Sequence, residues 1–386
     1  MFTVSEKDLE LQVGVKIREL RMSKNLKAME LAQLAGISQA QLSKIENGKV
    51  KISIQTICRL SETFDRPLSY FFDTQNEIPL TLGTMSTIDG PEKKGVEWFS
   101  KKIEQQTDGS ITITPMMPSQ LGSSREQIEI LRKGAIDLFI GDAAYFQKFF
   151  PVLSIFCLPY LFETNEHMKS FLESKYFDEI VKKPMRQYGV RIINRKWNWF
   201  RGIEWCLVCR KPIVTPDQVR GLRVRIPESK PAAAWYWEQL GAIPITVPWH
   251  LVKEAFEKKE FDLLSTFKSY LYPLGFCEYA KYVTLLGDIC GSTAIAMNEQ
   301  KYKNMHPTDF KHLEEACTQG GDYFSKLVET AEIENEKKNM AEYSAAYLTV
   351  DTEPWREEAN RAQNRCISKG RLPQDVFKEI DRLRPE

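Results

Sequence analysis

The chain has 386 residues, 42% hydrophobic and 27% charged, with a formal net charge of +1. That length exceeds one ordinary core, so two or three domains are expected. No run approaches the roughly eighteen uncharged apolar residues of a membrane span, and the acids within residues 1–10 do not fit a secretory signal, so a cytoplasmic location without a membrane partner is expected.

The first elements are helical and locally basic. Between Gly14 and Lys51 the bases Lys16, Arg18, Arg21, Lys24, Lys27, Lys44, Lys49 and Lys51 face only Glu19, Glu30 and Glu46. Val13, Ile17 and Leu20, then Met29, Leu31 and Leu34, predict two short amphipathic helices. Gly36 supplies the positive φ of a sharp inter-helix turn, and Ser38 caps a third helix running to about Glu46. At 100° per residue Leu42 and Ile45 face inward, leaving Gln39, Ala40, Gln41, Ser43 and Lys44 outward. These short or amide side chains near a helix start suit hydrogen bonding to base edges in a major groove. Residues 53–64 and 67–72 add two helices, which closes a five-helix domain over 1–73.

This segment resembles the helix-turn-helix domain of the phage-repressor or XRE-like family. The resemblance implies operator DNA as partner, a homodimer, and Gln39, Ala40, Ser43 and Lys44 as base-facing residues. Ala28 stands where the family commonly has a phosphate-anchoring Gln, so Lys27 is the expected replacement.

Residues 74–79 read as a polar connector ending in Pro79, and a new domain is expected over 80–386. Strand patterns at 80–85, 109–116 and 135–140 alternate with helix patterns at 91–106 and 121–132. Further strand candidates follow at 190–194, 222–226 and 261–265, with helices at 230–240 and 250–258. Repeating βαβ units predict an α/β fold with mainly parallel sheets. Residues 322 to about 347 read as one helix long enough to run along two lobes.

Leu121-Gly122-Ser-Ser-Arg125-Glu126, Gly134-Ala135-Ile136-Asp137, Leu158-Pro159-Tyr160-Leu161-Phe162, Thr215-Pro216-Asp217 and Gly221-Leu222-Arg223-Val224-Arg225-Ile226-Pro227 occur in that order. Together they resemble the dicarboxylate-binding solute receptors of TRAP transporters, which implies a two-lobed, periplasmic-binding-protein-like fold with a ligand cleft. The resemblance makes Arg225 the bidentate partner of a ligand carboxylate, a role that suits a planar guanidinium and extends to a sulfonate. By strand alternation Arg223 points the other way. The resemblance also places Arg201 as a second anion contact and Asp142 and Tyr145 at polar groups of the ligand. Trp197, Trp199, Trp249, Phe267 and Tyr270 are candidates for the walls, with Trp199 and Phe267 taken as lining. Leu263-Leu264-Ser265-Thr266-Phe267 replaces the polar segment usual in the family, which leaves Thr266 as the expected polar contact.

No catalytic constellation, phosphate-cradling glycine loop or metal-spaced histidine pair occurs, so neither an enzyme nor a cofactor is expected. The eight cysteines are scattered, and the lone Cys206-x-x-Cys209 pair reads as structural thiols. The expected function is a one-component transcriptional regulator that senses a small organic acid. The alternative is a cytoplasmic or surface binding protein that delivers solute to a TRAP transporter.

Overall fold

A computed structural model describes residues 6–72, 77–86, 90–202 and 205–385. Helices α1 (Glu6–Ser23), α2 (Ala28–Ala35), α3 (Gln39–Glu46), α4 (Ile54–Phe64) and α5 (Leu68–Phe72) enclose a core of Val13, Ile17, Leu20, Leu31, Leu42, Ile45, Leu60 and Phe64. The inward stripe of α2 is Leu31, Ala32 and Ala35. Met29 and Leu34, part of the amphipathic pattern in the sequence, stand 56% and 53% exposed. Small alanines on that stripe let α2 pack closely on α3 and α4, which two bulkier side chains would prevent. A Cβ on Gly14 would lie 2.1 Å from the carbonyl oxygen of Ile45, so α1 and α3 touch backbone to backbone. Arg21 clamps them with two hydrogen bonds to Glu46, at 2.7 and 2.9 Å.

The remainder is two α/β lobes. The first has a five-stranded sheet ordered β2-β1-β3-β10-β4, and the second a six-stranded sheet ordered β11-β9-β5-β8-β6-β7. In chain order these are β1 (Ile78–Thr84), β2 (Ile111–Met116), β3 (Leu138–Asp142), β4 (Val190–Ile192), β5 (Trp205–Cys209), β6 (Arg223–Ile226), β7 (Ile243–Thr246), β8 (Leu263–Phe267), β9 (Tyr282–Leu285), β10 (Thr293–Asn298) and β11 (Ala346–Thr349). Ile78 and Pro79 therefore belong to the first strand, whereas the sequence placed them in the connector; residues 74–76 of that connector lie outside the described residues. Pro79 is tolerated because β1 begins there, next to its first parallel partners in β2.

Each lobe receives one strand from across the junction. β10 returns from the second lobe to run antiparallel between β3 and β4, and β5 enters the second lobe antiparallel to β8 and β9. The two crossings are stitched by a bridge between Phe200 and Ser292 and by the amide of Arg201 donating to the Gly291 carbonyl at 2.8 Å.

The long helix starts at Pro307, well before the expected Asp322, and runs 37 residues to Tyr343, about 55 Å at 1.5 Å per residue. Gly320 and Gly321, just before the expected start, lie inside it. A Cβ on Gly320 would meet the Trp199 ring at 2.8 Å and one on Gly321 the Asn198 amide at 2.4 Å, so the glycines admit a close approach. The helix packs on α6 (Pro91–Gln106) of the first lobe and on residues 268–270 of the second.

The helical domain docks where this long helix begins. Arg66 donates to the Tyr302 carbonyl at 2.7 Å and lies over the Tyr70 and Tyr302 rings, while Lys303 pairs with Asp65 at 3.0 Å. His306 caps the helix by accepting the Thr308 amide at Nδ1, stacks on Tyr70, and turns Nε2 to the Glu19 carboxylate. Burial, with Lys16 and Arg66 nearby, lowers its pKa to about 4, so the imidazole is neutral and Nε2–H donates.

Candidate functional site

On the helical domain, Gln39, Ala40, Gln41, Ser43 and Lys44 all lie exposed on α3. The Ser38 hydroxyl accepts the Gln41 amide at 3.2 Å and sets the start of that helix. Lys27 is exposed at the N-cap of α2, its own amide held by Glu30. Two bases of the sequence's positive segment are spent inside the domain. Arg21 is clamped to Glu46, and Lys16 donates to the Tyr70 carbonyl at 2.9 Å.

Between the lobes lies a cleft of about 980 Å³. Its polar groups come from the carboxyl ends of strands in both sheets, the usual place for a ligand in α/β folds. Thr84 ends β1 and Ser86 follows it, Tyr145 follows β3, Lys230 follows β6, Trp249 follows β7 and Tyr270 follows β8.

Arg225, on β6, is 4% exposed and lines the cleft. Its Nε and Nη2 both donate to the Val247 carbonyl, at 3.1 and 2.9 Å, and the guanidinium sits 5.4 Å from the Trp249 ring centre. Among the described residues it meets no carboxylate. Burial accordingly pushes its pKa down to about 10, opposed only by the Tyr145 phenol. Arg223 turns away and pairs with Asp262 at 2.8 Å.

Arg201, at the hinge crossing, also lines the cleft and is 8% exposed, but its charge is matched from within. Nη2 reaches Glu92 at 3.1 Å, Nη1 reaches Asp142 at 3.4 Å, and the Tyr270 hydroxyl accepts from Nη2 while donating to Glu92. Burial works against its charge, yet Tyr270 and Glu92 hold the pKa above the ordinary value. The arginine expected at a ligand anion thus lines the cleft while holding two internal acids.

Asp142 stands one layer back. It does not line the cleft; its carboxylate caps the turn after β3 by accepting the Ala144 amide at 2.8 Å and takes Lys230 and Arg201 as partners. Burial would raise its pKa, but those two cations hold it below the usual range. Tyr145, Thr266, Trp199 and Phe267 do line the cleft. Trp199 is chiefly core, its indole donating to the Cys317 carbonyl at 2.8 Å, and Phe267 packs on Trp205 with ring centres 4.3 Å apart. Trp197 is buried in the first lobe against Phe177 instead.

Glu92, Lys230 and Trp205 are among the lining residues the sequence did not reveal. Glu92 follows Gly90-Pro91 at the start of α6, where an acid is already explained by the helix dipole. The position of Lys230, just after the Arg225 strand and before Pro231, was the available signal. Cys206 and Cys209 fall in hydrophobic clusters on opposite faces of the second sheet, so they do not share a site.

Comparison with known proteins agrees with this architecture. Residues 82–369 match the family described as bacterial extracellular solute-binding protein, family 7, and residues 17–71 match a helix-turn-helix domain. The chain belongs to that solute-binding family and carries a helix-turn-helix domain in front of it. The C4-dicarboxylate-binding periplasmic protein of Rhodobacter capsulatus is 26% identical over 258 residues, 66% of this chain and 74% of that protein. A TRAP periplasmic solute-binding protein of Ochrobacterium anthropi, solved with bound L-fuconate, superimposes with a TM-score of 0.71 at 21% identity, covering 80% of this chain and 99% of that one. Another, from Sulfitobacter with bound β-D-galacturonate, gives 0.71 at 18% identity, with coverages of 80% and 99%. These relatives and neighbours are binding proteins rather than enzymes.

Proposed function

We propose that this chain is a one-component transcriptional regulator whose cleft senses a small organic acid, a carboxylate or sulfonate, and whose α3 reads operator DNA. The observation that carries this is Arg225, a buried cation with no carboxylate among the described residues, in a cleft on the same chain as an exposed DNA-reading helix face. An isolated buried charge costs several kcal/mol, which an anionic ligand relieves on arrival. The sugar acids bound by the similar solute receptors support this ligand class. Lys27 and Lys44 serve phosphate and base contacts, two copies span paired half-sites, and the protein works in the cytoplasm with its DNA.

Ligand must favour the closed lobes over the open ones, since equal binding to both would shift nothing. The helical domain is fastened to the first lobe through Arg66, Tyr70 and Glu19, while Arg225 belongs to the second. Closure then moves the second lobe against the DNA-reading unit. No catalytic step is assigned.

The other reading, a binding protein that hands solute to a transporter, is favoured by the family's named members. Selection of binding sites from random duplex DNA, repeated with Arg225→Ala, separates the two. A regulator enriches one sequence, and an organic acid changes its affinity in the wild type alone; enrichment of no sequence favours the carrier.

A further inference from the structure

Among the described residues the cleft holds three buried cations, Arg225, Arg201 and Lys230, the half-buried carboxylate of Glu92, and the buried carboxylate of Asp142 just behind the lining. Both carboxylates are engaged. Glu92 takes Arg201 and Tyr270; Asp142 takes Arg201 and Lys230. What remains among the described residues is one buried positive charge without an acid, at Arg225. Arg125, Lys148 and His250 stand at the mouth with Glu126 and Glu228, all five exposed and so screened by solvent. Asp288, buried behind the Arg225 strand, has its carboxyl pushed by burial up to about 7 and does not add a full negative charge.

From this balance we infer that the cleft selects singly charged acids and rejects dicarboxylates, with Glu92 and Asp142 as the residues that set the selection. The inference rests on the acid-sensing reading of the same cleft. A monocarboxylate neutralises Arg225 and leaves every other pair intact. The second carboxylate of a dianion would need a second cation, and the buried candidates, Arg201 and Lys230, are already held by fixed acids. Taking Arg201 would leave Glu92 with only the Tyr270 hydroxyl, and taking Lys230 would leave buried Asp142 with only the longer Arg201 contact, losses that one new ion pair does not repay. The neutral analogues of these two acids therefore relax the selection by raising the site's net charge without changing its shape.

The test is calorimetric titration of the full chain with D-gluconate and D-glucuronate, which carry one carboxylate, and D-glucarate, which carries two on the same six-carbon frame. In the wild type the single acids are expected to bind about tenfold or more tightly over glucarate, since each stranded buried charge is worth at least that factor. Glu92→Gln and Asp142→Asn each keep an acceptor oxygen and are expected to narrow that ratio by about tenfold or reverse it. Glucarate binding as tightly as the single acids in the wild type overturns the inference, as does a ratio unmoved in both variants. Arg225→Ala that binds gluconate and glucuronate as well as the wild type strikes the acid-sensing reading itself, whatever the ratio.

Discussion

The two walls of the cleft each bury an arginine, and they treat it in opposite ways. On the hinge side Arg201 is enclosed by Glu92, Asp142 and Tyr270. On the second lobe Arg225 leans on one backbone carbonyl and a tryptophan face. The first arrangement joins strands of both lobes into the floor of the cleft. The second leaves a charge that meets no carboxylate among the described residues. Two buried residues of one type in one cleft thus differ in what balances them, and on the reading proposed above it is the one without an acid that a ligand anion completes.

The comparison can be broken most sharply at Arg201. Arg201→Ala should destabilise the unliganded protein by about 3–5 kcal/mol in urea melts, because Glu92 loses its cation and Asp142 keeps only Lys230. A change under 1 kcal/mol, on the order of a surface pair, would mean the pairing is not holding the floor. Arg225 should show the reverse profile. Arg225→Met is expected to leave unliganded stability unchanged or raised, while organic-acid binding falls by about 2–5 kcal/mol; lowered stability with intact binding would exchange the two roles.

Removing Gln39 and Lys44 together by alanine should weaken specific operator binding by about 1–3 kcal/mol per base contact and leave acid affinity untouched. Gel-shift and calorimetric titrations read the two effects separately. The smallest effect is expected at the domain junction, where His306 is matched internally as Arg201 is. Its folded pKa of about 4 lies below the ordinary 6.5, so the unfolded form binds the proton more readily. The stability it lends is present above pH 6.5 and is lost as pH falls from there towards 4. Hydrogen exchange in α1 and α5 should rise across that window, and His306→Gln should flatten the dependence. A flat wild-type profile would remove the neutral imidazole from the docking contact.

Much of the architecture was legible because it repeats locally. The cap at Ser38, the turn at Gly36 and the inward pair Leu42 and Ile45 follow from spacing alone. Other features were hidden because their causes lie far along the chain. Met29 and Leu34 are as apolar as Leu31, and only the close packing of α2 decides that they face outward. The long helix was expected only from residue 322, and the contacts of Trp199 and Asn198 at Gly320 and Gly321 lie inside the part that was missed.

The cleft divides the same way. By itself the sequence determined the alternating strands and helices over 78–142, the outward face of α3 and the placing of Arg225 on a strand whose neighbour Arg223 turns aside, because period and residue type are local properties. The tertiary structure alone decided that Glu92, 109 residues before Arg201, is its counter-ion, that Lys230 claims Asp142, and that Arg225 meets no acid among the described residues. Charge pairing inside a protein depends on distance and burial in space, and neither is written in the spacing along the chain.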